Sequence, residues 1–118
     1  MANQDADTPD ETEETITRGS GNVFADLGYP DAEERQTKLR LARYHQRVIA
    51  RRRLTPAAAA ERLGVNQPKV SALANFRLGG FSVERLMAFV TALDQDVEIV
   101  IKMKPRSRKE ARIVVVTT

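Results

Sequence analysis

Residues 55–76, TPAAAAERLGVNQPKVSALANF, constrain this chain more than any other stretch. Their pattern predicts a helix, a tight turn and a second helix. Thr55 is placed to N-cap the first helix, and Pro56 sits where the first turn tolerates proline. Ala59, Ala60 and Leu63 recur at helical spacing. Gly64 then ends that helix, because glycine takes φ > 0 without steric cost. Asn66 can cap the next helix, with Pro68 still in its first turn. Val70 and Leu73 face the core, which leaves Gln67, Lys69, Ser71 and Asn75 to face outward. Two helices joined by so short a turn cross steeply. A small residue is needed at the crossing, and Ala60 can supply it. That geometry pushes the second helix out, with a shape suited to a DNA major groove.

Length and composition narrow the rest. A chain of 118 residues suggests one domain. With flexible ends subtracted, roughly 75–85 residues remain for a core, which is small but workable. No cysteine is present, so a disulfide framework or thiolate metal site is excluded. No apolar run approaches the ~18 residues of a membrane span. The N-terminus is acidic and polar, unlike a secretory signal. A soluble, cytoplasmic protein is the expectation.

The net charge of +3 hides an asymmetry. Residues 1–16 carry six acids and no base, whereas the remainder carries nineteen bases against ten acids. A basic body with an acidic tail implies an anionic partner for the body. With a helix-turn-helix present, that partner is expected to be nucleic acid.

The acidic stretch 1–21 is poor in large apolar groups and is expected to be a disordered tail. Val23, Phe24, Leu27 and Tyr29 are too apolar for such a tail. Either they fold against the first helix or they are offered to a partner. The first helix is expected to start at Asp31, with Glu34 completing a capping box. Leu41, Ala42, His45, Val48 and Ile49 form its apolar stripe. It should end near Arg51–Arg53, three arginines that either oppose the negative helix end or touch phosphates. After the helix-turn-helix, Arg77–Phe81 (RLGGF) is a glycine-bearing loop. Ser82 caps a further helix whose face is Val83, Leu86, Met87, Val90 and Leu93, with Phe89 close to it.

From Asp96 to Met103 the period changes from 3.6 to 2. Val97, Ile99, Ile101 and Met103 alternate with Glu98, Val100 and Lys102, the pattern of a half-buried strand. A lone strand needs a partner edge. The same strand of a second subunit is one candidate, giving a two-fold dimer. The terminal run Ala111–Val116 is another, reached through the charged linker Pro105–Glu110. The terminal run could also pair with another protein. The expected organisation is a tail at 1–21, a helix-turn-helix domain with its strand at 22–104, and a basic linker with a terminal strand or tail at 105–118.

The stretch from Thr55 to Ile101 resembles the helix-turn-helix of the XRE (Cro/C1-like) regulators, in the form found in HigA-type antitoxins. The features are a long first helix, A-A-x-x-L-G-V through the turn, Q-P-K-V-S in the recognition helix, G-F-S leading into the next helix, and A-L-x-x-D-V-x-I. The resemblance spans about residues 20–104. The long acidic tail and the run Arg106–Thr118 depart from the pattern. The resemblance implies a mostly α fold, a five-helix-type Cro/C1 domain with a C-terminal β-strand for pairing. It also implies a homodimer that represses its own operator, and that binds and blocks a small RelE-like mRNA-cleaving toxin. On the XRE pattern, Gln67, Lys69 and Ser71 fall at base-facing positions. Gln67 can pair with adenine, and Lys69 can donate to guanine. Asn75, Arg77 and Thr55 fall where phosphate contacts occur. Two alternatives stand beside this: an XRE regulator without a toxin, and an interaction module that no longer binds DNA.

Catalysis is not expected. His45 is the sole histidine and reads as a packed residue of the first helix. It cannot build a zinc site alone, and neither it nor Ser71 has the spacing of a nucleophile with its base. Gly79-Gly80 lacks the surrounding pattern of a nucleotide-binding loop. No cofactor and no metal is implied. The acidic tail either shields the basic face, as a form of autoinhibition, or is a solubilising end.

Overall fold

The computed structural model describes residues 31–118. The expectations for the acidic tail and for the Val23–Tyr29 segment lie outside the described residues. Within the described residues are four α-helices: α1 (Ala32–Arg52), α2 (Pro56–Leu63), α3 (Gln67–Ala74) and α4 (Val83–Ala92). The chain divides into two compact units. One is Lys38–Met103; the other joins residues 31–37 to Lys104–Thr118.

In the larger unit, Leu41, Ala42, His45 and Val48 of α1 are buried, as their spacing predicts, and Ile49 is half-buried. Ala59 and Ala60 of α2 meet Val70 of α3, with Ile49 and Val65 packed against them. Small side chains at this crossing let α2 and α3 approach closely. Leu73, Phe81, Leu86, Phe89, Val90 and Leu93 complete the buried set. Burying each large side chain contributes about 1.5–3 kcal/mol.

Three of the four helix starts follow one rule. Thr55 Oγ1 accepts from Ala58 N–H at 3.1 Å, Asn66 Oδ1 from Lys69 N–H at 3.0 Å, and Ser82 Oγ from Arg85 N–H at 3.0 Å. Each cap satisfies a main-chain donor that the helix cannot. Helix ends follow a second rule. Arg53, Gly64, Phe76 and Asp94 each take a left-handed conformation, with φ of 55°, 69°, 56° and 65°. At each end two N–H groups reach back to late carbonyls, for example Arg53 N–H to Ala50 and Leu54 N–H to Ile49, both at 3.1 Å. Arg77 N–H reaches Ala72 at 2.9 Å after α3 in the same way. This is the Schellman closure, and glycine is its least strained residue. Only one of the four ends here uses glycine.

Two expectations about architecture are corrected. A five-helix domain is expected, but α4 is the last helix among the described residues. After it, Asp94 turns the chain through its left-handed conformation, and the β-branched run that follows has no regular secondary structure. The expected C-terminal strand is likewise absent among the described residues. Residues 96–103 carry the alternation but no strand pairing, and Ile101 and Met103 are 93% and 92% exposed. The physical reason is that a strand is made by its neighbour. The period-2 pattern supplies an extended backbone, not the second edge.

In the smaller unit, Arg35 Nε donates to Asp31 Oδ1 at 2.8 Å, and Ile113 N–H donates to Glu33 Oε2 at 2.8 Å. Val115 is half-buried, while Ile113, Val114 and Val116 are exposed. No helix among the described residues is long and apolar enough to cross a membrane.

Candidate nucleic-acid interface

The element expected to carry recognition is α3. Val70 and Leu73 anchor it in the core, and Asn66 fixes its first turn. Gln67, Pro68, Ser71, Ala74 and Asn75 are exposed along its outer surface. Gln67 and Ser71 border one shallow depression with Pro56 of α2, Pro68 and Ala74. Lys69 and Arg77 border another with Asn66, Pro68, Gly80 and Phe81. The six sequence-predicted site residues thus divide by position, and their side chains differ in what else they do.

Two of the six are committed to the backbone. The Thr55 hydroxyl oxygen holds Ala58 N–H, so its first duty is to start α2. The Asn75 amide donates to the Ser71 carbonyl at 2.9 Å, which closes α3. Lys69 is half-buried, and its ammonium lies 5.4 Å from the centroid of the Phe81 ring. A cation over an aromatic face is attracted by the ring quadrupole. Phe81 is itself only 4% exposed and meets Phe89 edge-on at 5.8 Å. The ring is therefore a fixed seat for the lysine. Gln67 and Arg77 are exposed, with side chains projecting from α3 and from the loop after it.

A family model described as a helix-turn-helix domain matches residues 23–102, well over half of the chain. The chain belongs to this helix-turn-helix family. A solved structure named "Putative XRE Family Transcriptional Regulator" is 71% identical, and the match covers 75% of this chain and 100% of that one, with a TM-score of 0.73. No curated protein matches.

For a helix-turn-helix protein of this family, the support behind α3 matters as much as its surface. Sequence reasoning missed two parts of that support. Phe81 reads as a loop residue in RLGGF, yet it seats Lys69. Its signal was the single aromatic of that glycine-bearing loop, directly before a helix cap. The second is a clamp on α4. Arg62 Nη2 donates to Ala92 O at 3.3 Å and to Asp94 Oδ2 at 3.1 Å, and Arg52 Nη1 reaches the same carboxylate oxygen at 3.2 Å. The hydrogen bond from Arg52, with the charges of both arginines, holds the Asp94 carboxyl below its usual range. Contacts 42 and 32 residues apart in sequence leave no local pattern to read.

His45 is chemically distinct but not part of this surface. It is buried beside Phe89, with ring centroids 6.1 Å apart. Among the described residues its Nε2 has no hydrogen-bond partner. Burial pushes its pKa down from 6.5 to about 4, so it is neutral in the core. Among the described residues no cluster of three or more His, Cys, Asp or Glu side chains could hold a metal ion.

Proposed function

We propose that this chain is a sequence-specific DNA-binding transcriptional repressor that acts as a homodimer, and that it is the antitoxin of a type II toxin–antitoxin pair. The observation that carries the DNA reading is α3 itself. It is capped at its start, anchored on one side by Val70 and Leu73, and exposed along Gln67 and Ser71. In this reading Gln67 pairs with adenine in the major groove, a contact that discriminates by about 1–3 kcal/mol. Ser71 makes a second base contact. Thr55, Asn75 and Arg77 meet phosphates at the two ends of the motif, and Lys69 lies on its flank. The basic body supplies the salt-dependent part of the affinity.

Dimerisation is supported by the exposed run Val97–Met103, whose alternation asks for a second edge. Two copies paired there would satisfy each other's ladder and set two recognition helices toward adjacent half-sites, about 34 Å apart. The toxin partner is supported by the second apolar run, Ile113–Val116, which can add to the sheet edge of a small protein. The relative's name, that of a transcriptional regulator, favours a second reading in which there is no toxin.

Fluorescence anisotropy of the full chain tests the DNA reading. The duplex comes from upstream of its own gene, beside a scrambled duplex, at several salt concentrations. Tight binding to the first and much weaker binding to the second is the expected result. Equal, steeply salt-dependent binding to both would leave only a basic surface. Copurification with the product of a neighbouring small gene separates the antitoxin from the regulator.

A further inference from the structure

We infer that the run Asp96–Lys104 pairs with a second copy of itself in one antiparallel register, centred on Val100 and selected by charge. The inference rests on the homodimer reading and adds to it which residues choose the partner.

The apolar side of the run asks only for cover. Val97, Ile99, Ile101 and Met103 are all exposed, Ile101 and Met103 almost fully. Any apolar edge could cover them. The other side is more discriminating. Read in order it is Asp96, Glu98, Val100, Lys102 and Lys104: two acids, a valine, two bases. All five are exposed, and among the described residues none of the four charges takes part in an ion pair. Nor, among the described residues, does a main-chain group from Asp96 to Lys104 bond to another backbone group.

That order is its own complement only when reversed. In an antiparallel pair about a two-fold axis, facing residues lie equally far from the axis and share one side of the ladder. With the axis at Val100, Glu98 faces the partner's Lys102 and Asp96 faces the partner's Lys104, each twice by symmetry. On the apolar side, Ile99 faces the partner's Ile101 and Val97 faces the partner's Met103. Opposite charges across a ladder stabilise it, and like charges weaken it.

Competing pairings forfeit this match. An axis at Ile99 sets Glu98 against the partner's Val100, and an axis at Ile101 sets Lys102 there instead. A slip of one residue turns charged side chains onto apolar ones. A parallel, in-register pair sets Glu98 on the partner's Glu98 and Lys102 on the partner's Lys102. The charge order therefore specifies this chain as its own partner. It refuses an apolar edge that lacks acids and bases in the reverse order.

The test uses the full chain with four single substitutions: Glu98→Lys, Lys102→Glu, Val100→Cys and Met103→Cys. All four positions are exposed, and circular dichroism checks that helix content is unchanged. Sedimentation velocity over a concentration series reads association. Each charge reversal alone is expected to weaken the dimer about tenfold, because two attractive pairs become repulsive. An equimolar mixture of Glu98→Lys with Lys102→Glu is expected to regain the parent's association, since each reversed side chain then meets an opposite charge. Val100→Cys puts a cysteine at the axis of a chain that has none, and mild oxidation is expected to link two copies. Met103→Cys is expected not to link, because its two copies stand about 20 Å apart at ~3.3 Å per residue. A parent that is monomeric at every concentration overturns the homodimer reading and the register with it. A dimeric parent whose charge reversals associate no better mixed than alone overturns the register and leaves the dimer standing. Equal linking at both cysteines does the same, since it marks a parallel pair.

Discussion

The helical stretch from α1 to α4 and the extended run Val97–Met103 are both strongly patterned, and only one of them buries what it patterns. Leu73 at the centre of the first is 1% exposed; Ile101 in the second is 93% exposed. The difference lies in where each backbone finds its hydrogen bonds. A helix closes its ladder four residues away and needs neighbours only for its apolar face. A strand closes its ladder on another segment altogether. A period of 3.6 can therefore be resolved inside one chain, whereas a period of 2 at the end of a helical domain resolves only when a second edge arrives.

A matched pair of substitutions breaks this comparison if it is wrong. Leu73→Ala removes a fully buried side chain beneath α3 and is expected to cost about 2–5 kcal/mol in urea unfolding. Ile101→Lys removes an equally apolar side chain from the extended run. It is expected to change the stability of the single chain by no more than about 0.5 kcal/mol, the range of ordinary surface changes. In sedimentation velocity the same variant should run as a monomer where the parent runs as a dimer. An Ile101→Lys chain that unfolds as early as Leu73→Ala would place the run in the core of the monomer.

His45 gives the next effect. Burial holds its imidazole at about 4 instead of 6.5. Between those values the unfolded chain takes up a proton that the folded chain refuses. Stability is full above pH 6.5, falls as the pH drops toward 4, and loses no more from this group below that. The total is about 3 kcal/mol, an order-of-magnitude figure for a shift of this size. His45→Leu should flatten this limb in urea titrations between pH 7 and 4, and leave stability at pH 7 equal or higher. The unpartnered Nε2 contributes nothing that leucine would forfeit, and Nδ1 gives up only a long 3.4 Å contact with Gln46 Nε2. An unchanged acid limb in the variant would assign the loss to other groups.

The two regions were also unequally legible. The caps Thr55, Asn66 and Ser82 could be read because their chemistry is local, a side-chain oxygen three residues before its donor. The buried faces of α1 and α4 could be read because their spacing is fixed by the helix itself. Gly64 announced its turn because glycine favours φ > 0. Arg53, Phe76 and Asp94 make the same turn without that sign, held by the main-chain closure of each helix end in a conformation that their type disfavours. In the site, the exposure of Gln67 and Ser71 was legible from the wheel of α3. The seating of Lys69 on Phe81 was not, because it joins a helix to a loop through a ring whose burial depends on Phe89.

Arg53 offers a smaller effect that sharpens the contrast between helix ends. It is exposed, and it holds φ at 55° in the closure of α1. Arg53→Gly relieves that conformation but adds freedom to the unfolded chain. The net gain expected is roughly 0.5–1 kcal/mol, since the native φ suits glycine and disfavours arginine. A rise in melting temperature with unchanged operator affinity would make Arg53 a helix-closing residue only. A loss of affinity with a reduced salt slope would add it to the phosphate contacts.

The smallest effect belongs to Asp94, the residue at which the helical region gives way to the extended one. Its exposed carboxylate accepts from Arg52 and Arg62, and its φ is 65°. Asn is among the residues that tolerate this conformation best, so Asp94→Asn removes the charge and keeps the turn. Exposed ion pairs contribute little and are screened by salt. The variant should therefore melt slightly earlier at low ionic strength and together with the parent at high ionic strength. The arginines hold the Asp94 pKa below 3.8, so this contribution is present above that value and is lost as the pH falls beneath it. His45 acts between 6.5 and about 4, so the two windows barely overlap. A double variant should lose both acid steps independently. If removing the charge at Asp94 also shifted the His45 step, the start of the extended run would be coupled to the helical core rather than tethered to its end.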